Sequence, residues 1–417
     1  VPTPDPAGDF YDWTRACAPE RPYVHAYHRT WVTKFFLADK RPGGRSKVFL
    51  TFEGALDVIR RLDALSLGCP KIVYLVGWQF DGHDSKYPSW DEANPRLARE
   101  GEPAVDSLRW LMREAKRFHT TVSLHVNMID AFADSPLWDE YVANDVIAKD
   151  VAGNPLPGEV FGSPVGDFSQ SYQISYAREW EAGLAQRRID RLLATLPIAE
   201  AGTIHIDAFH SHAPVRPGDD CISPLNRAKY GHTIGEEIRA QRRIIRYFRD
   251  RGVDVTAEGN AYWLRRDPFV GLQPMAWHFT PLNGVPPQLQ CGTPAQIEQQ
   301  VKDDPEHLAG VREAFCTRVA PWLYWSDDRA RTPNAIQHGN DWCVPAPWAD
   351  RPTMIAYSGH ASTRTWKLPE TFGRAVDVAE LSIDGPQPRR TLDVVDGAVE
   401  LTLTPAQGVC LTPSEAR

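Results

Sequence analysis

The stretch KIVYLVGWQFDGHDSKYP, Lys71 to Pro88, begins as an apolar run and ends as a cluster of polar side chains. Ile72, Val73, Tyr74, Leu75 and Val76 leave no polar face, the pattern of a strand buried on both sides in a parallel sheet covered by helices. Trp78, Gln79, His83, Asp84, Lys86 and Tyr87 follow at once. In parallel sheets functional side chains gather beyond the carboxyl ends of the strands. The stretch therefore predicts one sector of a site, provided other strands end in the same way.

They do. TTVSLHVNMI (120–129), GTIHIDAFHS (202–211) and VDVTAEGN (253–260) are β-rich runs, and MAWHF (275–279) is a further strand candidate. Between them lie helical stripes: Val105, Leu108, Leu111, Met112, Ala115 and Phe118, then a long amphipathic segment over 174–196. A third helix is marked by Thr233 with Glu236 as a capping box, Ile234, Ile238, Ile245 and Phe248 as its stripe, and Gly252 as its stop. Strand and helix alternating over this length predict an α/β fold, a (β/α)₈ TIM barrel, over residues 1–344. From 345 to 417 the texture changes to short alternating runs broken by Asp384-Gly385 and Asp396-Gly397, which predicts a small C-terminal β-sandwich. In its last run Val399, Leu401 and Leu403 are expected inside, with Glu400, Thr402 and Thr404 in water.

A formal net charge of −8 over 417 residues, with no Lys/Arg run, argues against a nucleic-acid partner. No stretch reaches the ~18 apolar residues of a membrane span. The seven cysteines are scattered without C-x-x-C spacing and read as buried thiols, with one or two disulfides left open; the compartment, secreted, periplasmic or cytoplasmic, stays open.

Side chains two apart on a strand share a face. If Ile204 and Ile206 pack against helices, His205 and Asp207 face the barrel interior; His125 with Asn127 and Thr256 with Glu258 form matching pairs. Asp207 and Glu258 each close an apolar strand. Such a carboxyl pair suits hydrolysis of a glycosidic bond, one group protonating the leaving oxygen and the other meeting the sugar carbon, though the residues alone do not say which does which. Fourteen tryptophans, among them Trp78, Trp90, Trp138, Trp263 and Trp277, could cover the apolar faces of sugar rings. Two alternatives remain: a metal-dependent hydrolase using His205, Asp207, His210 and His212, and a non-catalytic carbohydrate-binding protein.

The pieces YLVGWQFDGHDSKYP, LHVNMIDAF, DFSQSYQI, IHIDAF and TAEGN, with Trp277 downstream, occur in an order that resembles the endo-α-N-acetylgalactosaminidases and their exo-acting α-N-acetylgalactosaminidase relatives. The resemblance implies a retaining glycoside hydrolase acting on glycans, including the O-glycans of glycoproteins, with no cofactor and no metal. It makes Asp207 the nucleophile and Glu258 the acid/base. Trp78, His83, Asp84, His125, Asn127, Asp167, Gln170, Tyr172 and Trp277 then contact the sugar. Where the family has a tryptophan-containing segment closing over a disaccharide, this chain reads PGEVFGSPVG, so exo and endo action are both open.

Overall fold

The computed structural model describes residues 11–158, 170–209, 220–258, 269–274, 285–291, 296–325, 336–339 and 341–414. Five strands form a parallel sheet and lie side by side in chain order: β1 (Trp31–Phe36), β2 (Lys71–Val76), β3 (Thr120–Asn127), β4 (Thr203–Asp207) and β5 (Asp254–Ala257). The opening stretch is thus a central strand, all six residues of it buried. Its neighbour β1, WVTKFF, is an element that sequence reading passed over. The strand candidate at 275–279 lies outside the described residues.

The sheet's two faces differ as the alternation requires. Val73, Leu75, Val122, Leu124, Val126, Ile204, Ile206 and Val255 join one large apolar cluster with the helices α1 (Phe52–Ser66), α2 (Ala104–Glu114), α3 (Tyr176–Glu181), α4 (Leu184–Thr195) and α5 (Ile234–Arg249). Burying each such Val, Leu or Ile contributes roughly 1.5–3 kcal/mol. On the opposite face Tyr27, Val32, Ile72, Tyr74 and Cys291 form a separate small cluster. Beside it runs a buried polar network: Tyr74 Oη and Tyr27 Oη meet Thr203 Oγ1 at 2.6 and 2.8 Å, and Ser123 Oγ donates to the Thr203 carbonyl at 2.5 Å.

The helix expected as one piece over 174–196 is two. Gly183 takes a left-handed φ of 72°, which ends α3 and serves as N-cap of α4, a conformation glycine adopts without steric cost. α5 begins where expected, but its box is closed differently: the Thr233 hydroxyl donates to the Glu236 carboxylate at 2.5 Å, without bonding a backbone N–H. Gly252, with φ 75°, follows its end.

The antiparallel part begins earlier than residue 345. β6 (Ile336–His338) pairs with β7 (Asp341–Pro345), and β7 with β8 (Met354–Ser358), so the change of texture falls inside a sheet that also holds β10 (Ala375–Glu380), β11 (Gln387–Asp393) and β13 (Gln407–Pro413). Its strand order is β6-β7-β8-β13-β10-β11, and β9 (Ser362–Lys367) pairs with β12 (Ala398–Leu403) as a second, two-stranded sheet. β12 alternates as expected, with Val399, Leu401 and Leu403 buried and Glu400 and Thr402 exposed. These three join Trp366, Val376, Val378, Val409 and Leu411 in one apolar cluster between the sheets. Among the described residues no helix is long and apolar enough to cross a membrane.

Candidate active site

The site is assembled where β2 to β5 end. Register sets it: His125 of β3 lies opposite His205 of β4, which lies opposite Thr256 of β5, and one pleat further along Asn127 lies opposite Asp207. Glu258, two residues past Thr256, continues the same face. The chain turns sharply after β2 and after β4. Gly77 after β2 has φ 73°, and a Cβ there would stand 2.0 Å from the Ala38 carbonyl oxygen. Gly82 is similarly crowded by the backbone of Asp39 and Lys40, and the His83 N–H donates to the Ala38 carbonyl at 2.8 Å. Asp84 and Lys86 hold left-handed φ values of 52° and 56°. After β4, Ala208 sits at φ 50° while the Phe209 N–H bonds the Asp207 carbonyl at 2.5 Å, and Gln241 of α5 donates to the Phe209 carbonyl. Non-glycine residues held this way are strained, and such strain concentrates at functional sites.

One histidine links the two expected catalytic acids. His125 is 2 % exposed; its Nε2 is 3.6 Å from Asp207 Oδ1. Ring nitrogens of His125 and His205 and a carboxylate oxygen of Glu258 lie within 4.8 Å of one another, as do donor atoms of His83, His125 and Asp207. The His125 ring packs on His205 at 5.1 Å and on His83 at 5.8 Å. His205 is fully buried and its Nδ1 meets Thr256 Oγ1 at 3.0 Å. His210 and His212, which the metal alternative needs, lie outside the described residues.

The acids are electrostatically unequal. Burial opposes charge on Asp207, yet His125, Lys34 and His83 outweigh it and hold the carboxyl well below the usual range. Burial pushes His125 and His83 down, with Asp207 pulling both partly back. Asp84 is raised to about 6 by burial and by the charge of Asp207, against the pull of Lys40. Its side chain is 40 % exposed, but Oδ1 is sealed off, with no hydrogen-bond partner among the described residues and His83 Nε2 at 3.5 Å. Asp130 is raised to about 7 by burial and the charge of Asp84, hydrogen bonds from Asn127 and Ser171 resisting. Neighbouring carboxyls pushed apart in this way are how one site keeps both a base and proton carriers near neutral pH.

Two expected contact residues stand behind the site. Trp78 is 1 % exposed and its Nε1–H donates to the His125 carbonyl at 3.1 Å, so it braces β3 and has no face for a sugar ring. Asn127 is 2 % exposed with its amide engaged: Oδ1 accepts from the N–H groups of Ile129 and Asp130 at 2.7 and 2.9 Å, and Nδ2 donates to Asp130 Oδ2 at 2.9 Å. It folds the strand end and aims Asp130. Trp90 is also buried, under Arg188. Gln170 and Tyr172 make their contacts elsewhere: exposed Gln170 bonds the Ser171 carbonyl, and Tyr172 packs on Trp138 at 5.1 Å. Both lie on or beside the strand Ser171–Gln173, which pairs with Asp130–Phe132. Asp167, Trp263 and Trp277 lie outside the described residues.

Sequence reading missed Asp130, Lys34 and Lys40. Lys34 of β1 reaches Glu258 Oε1 at 3.5 Å with its side chain 8 % exposed, and Lys40 donates to the Asp84 carbonyl at 2.5 Å while covering the Phe132 ring. A lysine inside WVTKFF was the available signal, since a cation in a buried strand needs a buried partner.

Residues 45–252 match the sequence family described as endo-alpha-N-acetylgalactosaminidase. The chain is endo-α-N-acetylgalactosaminidase-like. Among solved structures this endo-α-N-acetylgalactosaminidase-like chain is similar to the ligand-free α-N-acetylgalactosaminidase NagBb from Bifidobacterium bifidum, 14 % identical over 66 % of this chain and 42 % of that one, TM-score 0.47. It is also similar to the α-galactosidase AgaB from Geobacillus stearothermophilus, 12 % identical over 94 % and 56 %, TM-score 0.43. An α-amylase from Geobacillus thermoleovorans is 8 % identical over 94 % and 100 %, TM-score 0.39. The chain spans 42 % of the length of the ligand-free NagBb structure. No curated protein matches it.

Proposed function

We propose that the protein is a retaining α-glycosidase acting on α-linked N-acetylgalactosamine or another galactose-configured glycoside. The reading also takes the parallel sheet as part of a closed (β/α)₈ barrel and the two antiparallel sheets as a C-terminal β-sandwich; the pairing of β6 with β7 supports a division nearer residue 336 than the expected 345. The observation that carries it is the convergence of Asp207 and Glu258 on His125 from neighbouring parallel strands.

In the first step an Asp207 oxygen forms a bond to the anomeric carbon as the bond from that carbon to the leaving oxygen breaks. Glu258 gives its proton to that oxygen. In the second, a water loses a proton to the Glu258 carboxylate, its oxygen bonds the anomeric carbon, and Asp207 departs as the carboxylate. A nucleophile must be ionised, and the depressed Asp207 meets that condition. His83 and Asp84 are the expected sugar-hydroxyl contacts from the β2 end, His125 carries the polar wall of β3, Asp167, Gln170, Tyr172 and Trp277 are expected contacts too, and Trp78 and Asn127, the remaining two of the expected set, act from behind as braces.

The test is hydrolysis of p-nitrophenyl α-N-acetylgalactosaminide followed by proton NMR. The α anomer is expected first; Asp207→Asn is expected to lower kcat/KM on this substrate by about a thousandfold or more, and Glu258→Gln to do so on phenyl α-N-acetylgalactosaminide, whose leaving group needs the proton, each with the melting temperature retained. First release of the β anomer, or near-normal turnover in either folded variant, would contradict the assignment.

A further inference from the structure

Lys34 sits among Trp31, Val32, Thr33 and Phe35 on a buried strand, where an ammonium group is costly unless carboxylates meet it. Two do. Its Nζ is 3.5 Å from Glu258 Oε1 and 3.7 Å from Glu298 Oε2, and each of those side chains is 32 % exposed. Glu298 is the first residue of helix α6 (Glu298–Asp303), which is fastened to the rim of the sheet: Val301 is fully buried, and Lys302 Nζ lies over the Phe36 ring at 4.1 Å and 3.8 Å from Asp39 Oδ2. Among the described residues the charged and titratable groups facing Glu258 are Lys34 from β1, His125 from β3 and His205 from β4, with Glu298 across Lys34 and with Asp207 and His83 across His125.

An acid/base residue must hold a proton before bond cleavage and lose it on the way. A lone cation at 3.5 Å would keep a carboxylate ionised and spoil the first half. A second carboxylate on the same ammonium shares its field and leaves the first freer to protonate. We propose that Lys34 is a positioning residue that sets the pH at which Glu258 exchanges its proton, and that Glu298 moderates it by competing for the same ammonium. This rests on the assignment of Glu258 as acid/base; neither Lys34 nor Glu298 is asked to touch the sugar.

The experiment is the pH dependence of kcat/KM on phenyl α-N-acetylgalactosaminide, whose poor leaving group needs the proton, for wild type, Lys34→Met, Lys34→Arg and Glu298→Gln. With the cation gone the carboxyl holds its proton longer, so the basic limb of Lys34→Met is expected to move up by about one pH unit. Glu298→Gln gives Glu258 the whole ammonium, and its basic limb is expected to move down by a smaller amount. Lys34→Arg keeps the wild-type limb. A purely structural pair would change the height of the profile without moving limbs in opposite directions, and unshifted limbs or shifts of one sign would overturn the proposal. If Lys34→Met does not fold, the half-exposed Glu298 position carries the same test. Carboxyl-¹³C glutamate NMR, assigned with Glu258→Gln, separates the two layers of argument. Opposite titration shifts of Glu258 with activity indifferent to its removal would leave the coupling standing and sink the acid/base role. Dependence of activity on Glu258 with an unmoved titration would do the reverse.

Discussion

Gly77 shows how much of this site depends on one missing methyl group. The chain leaving β2 must pass directly over the turn that follows β1, and the Ala38 carbonyl oxygen occupies the place where a Cβ would stand, 2.0 Å away. Neither neighbour is a flexible side-chain tip, and φ at 73° already disfavours other residues. Gly77→Ala is therefore expected to cost about 3 kcal/mol or more in urea unfolding, the strain of φ adding to that of overpacking. A loss below 1 kcal/mol would mean that the strand end is not held as described. Asp130 makes the opposite prediction. Its folded pKa of about 7 lies above the value near 4 of an unfolded aspartate, so between those values the native state holds a proton that the unfolded state has released. Stability from this group falls as pH rises from about 4 to about 7 and is level beyond. Asp130→Asn keeps an oxygen for Asn127 and Ser171 but removes that charge. Its melting temperature is expected to exceed wild type at pH 8 and to match it at pH 4.5, and a deficit at both would contradict the burial of a protonated acid. Residues of this kind divide by legibility. The shared face of His125 with Asn127, of His205 with Asp207 and of Thr256 with Glu258 was legible because strand alternation assigns a face to each. Lys34 carried a signal, a lysine inside the apolar run WVTKFF, that was passed over because a single lysine ordinarily marks a surface. Trp78 was misread because core packing and sugar stacking use the same side chain.

At the scale of elements, the strands and their order in the sheet were legible wherever β-branched runs met turn signals. Their lengths were less so, and helix continuity failed where hydrophobic periodicity ran through a break. The stripe over 174–196 keeps its phase across Gly183, so nothing in the period reveals that α3 ends and α4 begins there; only the glycine does. What fixes α3 in place comes from a distant helix. Glu237 of α5, 1 % exposed, accepts the Ser175 hydroxyl at 2.8 Å and the Ala177 N–H at 2.8 Å, satisfying the N-terminal turn of α3 from outside, while burial raises its own carboxyl to about 7. No sequence window of helical length contains both partners. Glu237→Ala leaves a buried hydroxyl and a buried N–H without their acceptor, each costing about 1–3 kcal/mol. The expected loss is about 2–4 kcal/mol by chemical denaturation, with amide exchange at Ala177 and its neighbours accelerated more than exchange within β3. Uniform acceleration across the sheet would show that Glu237 supports the core at large and not this helix.

Across the whole molecule, the antiparallel sheet is not an appendage to the parallel one. Ile355, Tyr357, Ala379, Leu381 and Cys410 belong to the same apolar cluster as the helices around β2 to β5, while the sheet's other face builds its own core with Trp366. Trp348 Nε1–H reaches the Ser66 carbonyl at the end of α1, and Arg312 pairs with Glu380. Gly408 of β13 comes so near that a Cβ there would stand 2.5 Å from Cys316 Sγ on the helical segment Phe315–Val319. Gly408 is not in the left-handed region, so alanine is sterically unwelcome there for one reason alone: the sulfur. This makes the interface testable by a cycle in which one substitution relieves the other. Gly408→Ala is expected to destabilise by about 1–3 kcal/mol as the sheet is pushed off the helix. Cys316→Ala, removing a buried sulfur that is 1 % exposed, is expected to cost about 1 kcal/mol on its own. The double variant should be more stable than the sum of the two losses allows, by about 1 kcal/mol or more, because the new methyl then fills the space the sulfur vacates. Strict additivity would mean that sheet and helix do not meet there. The proposed glycosidase activity offers a second readout, since among the described residues β6 to β13 contribute none to the His125 cluster: kcat/KM of the folded Gly408→Ala variant should stay within about twofold of wild type while its unfolding midpoint falls.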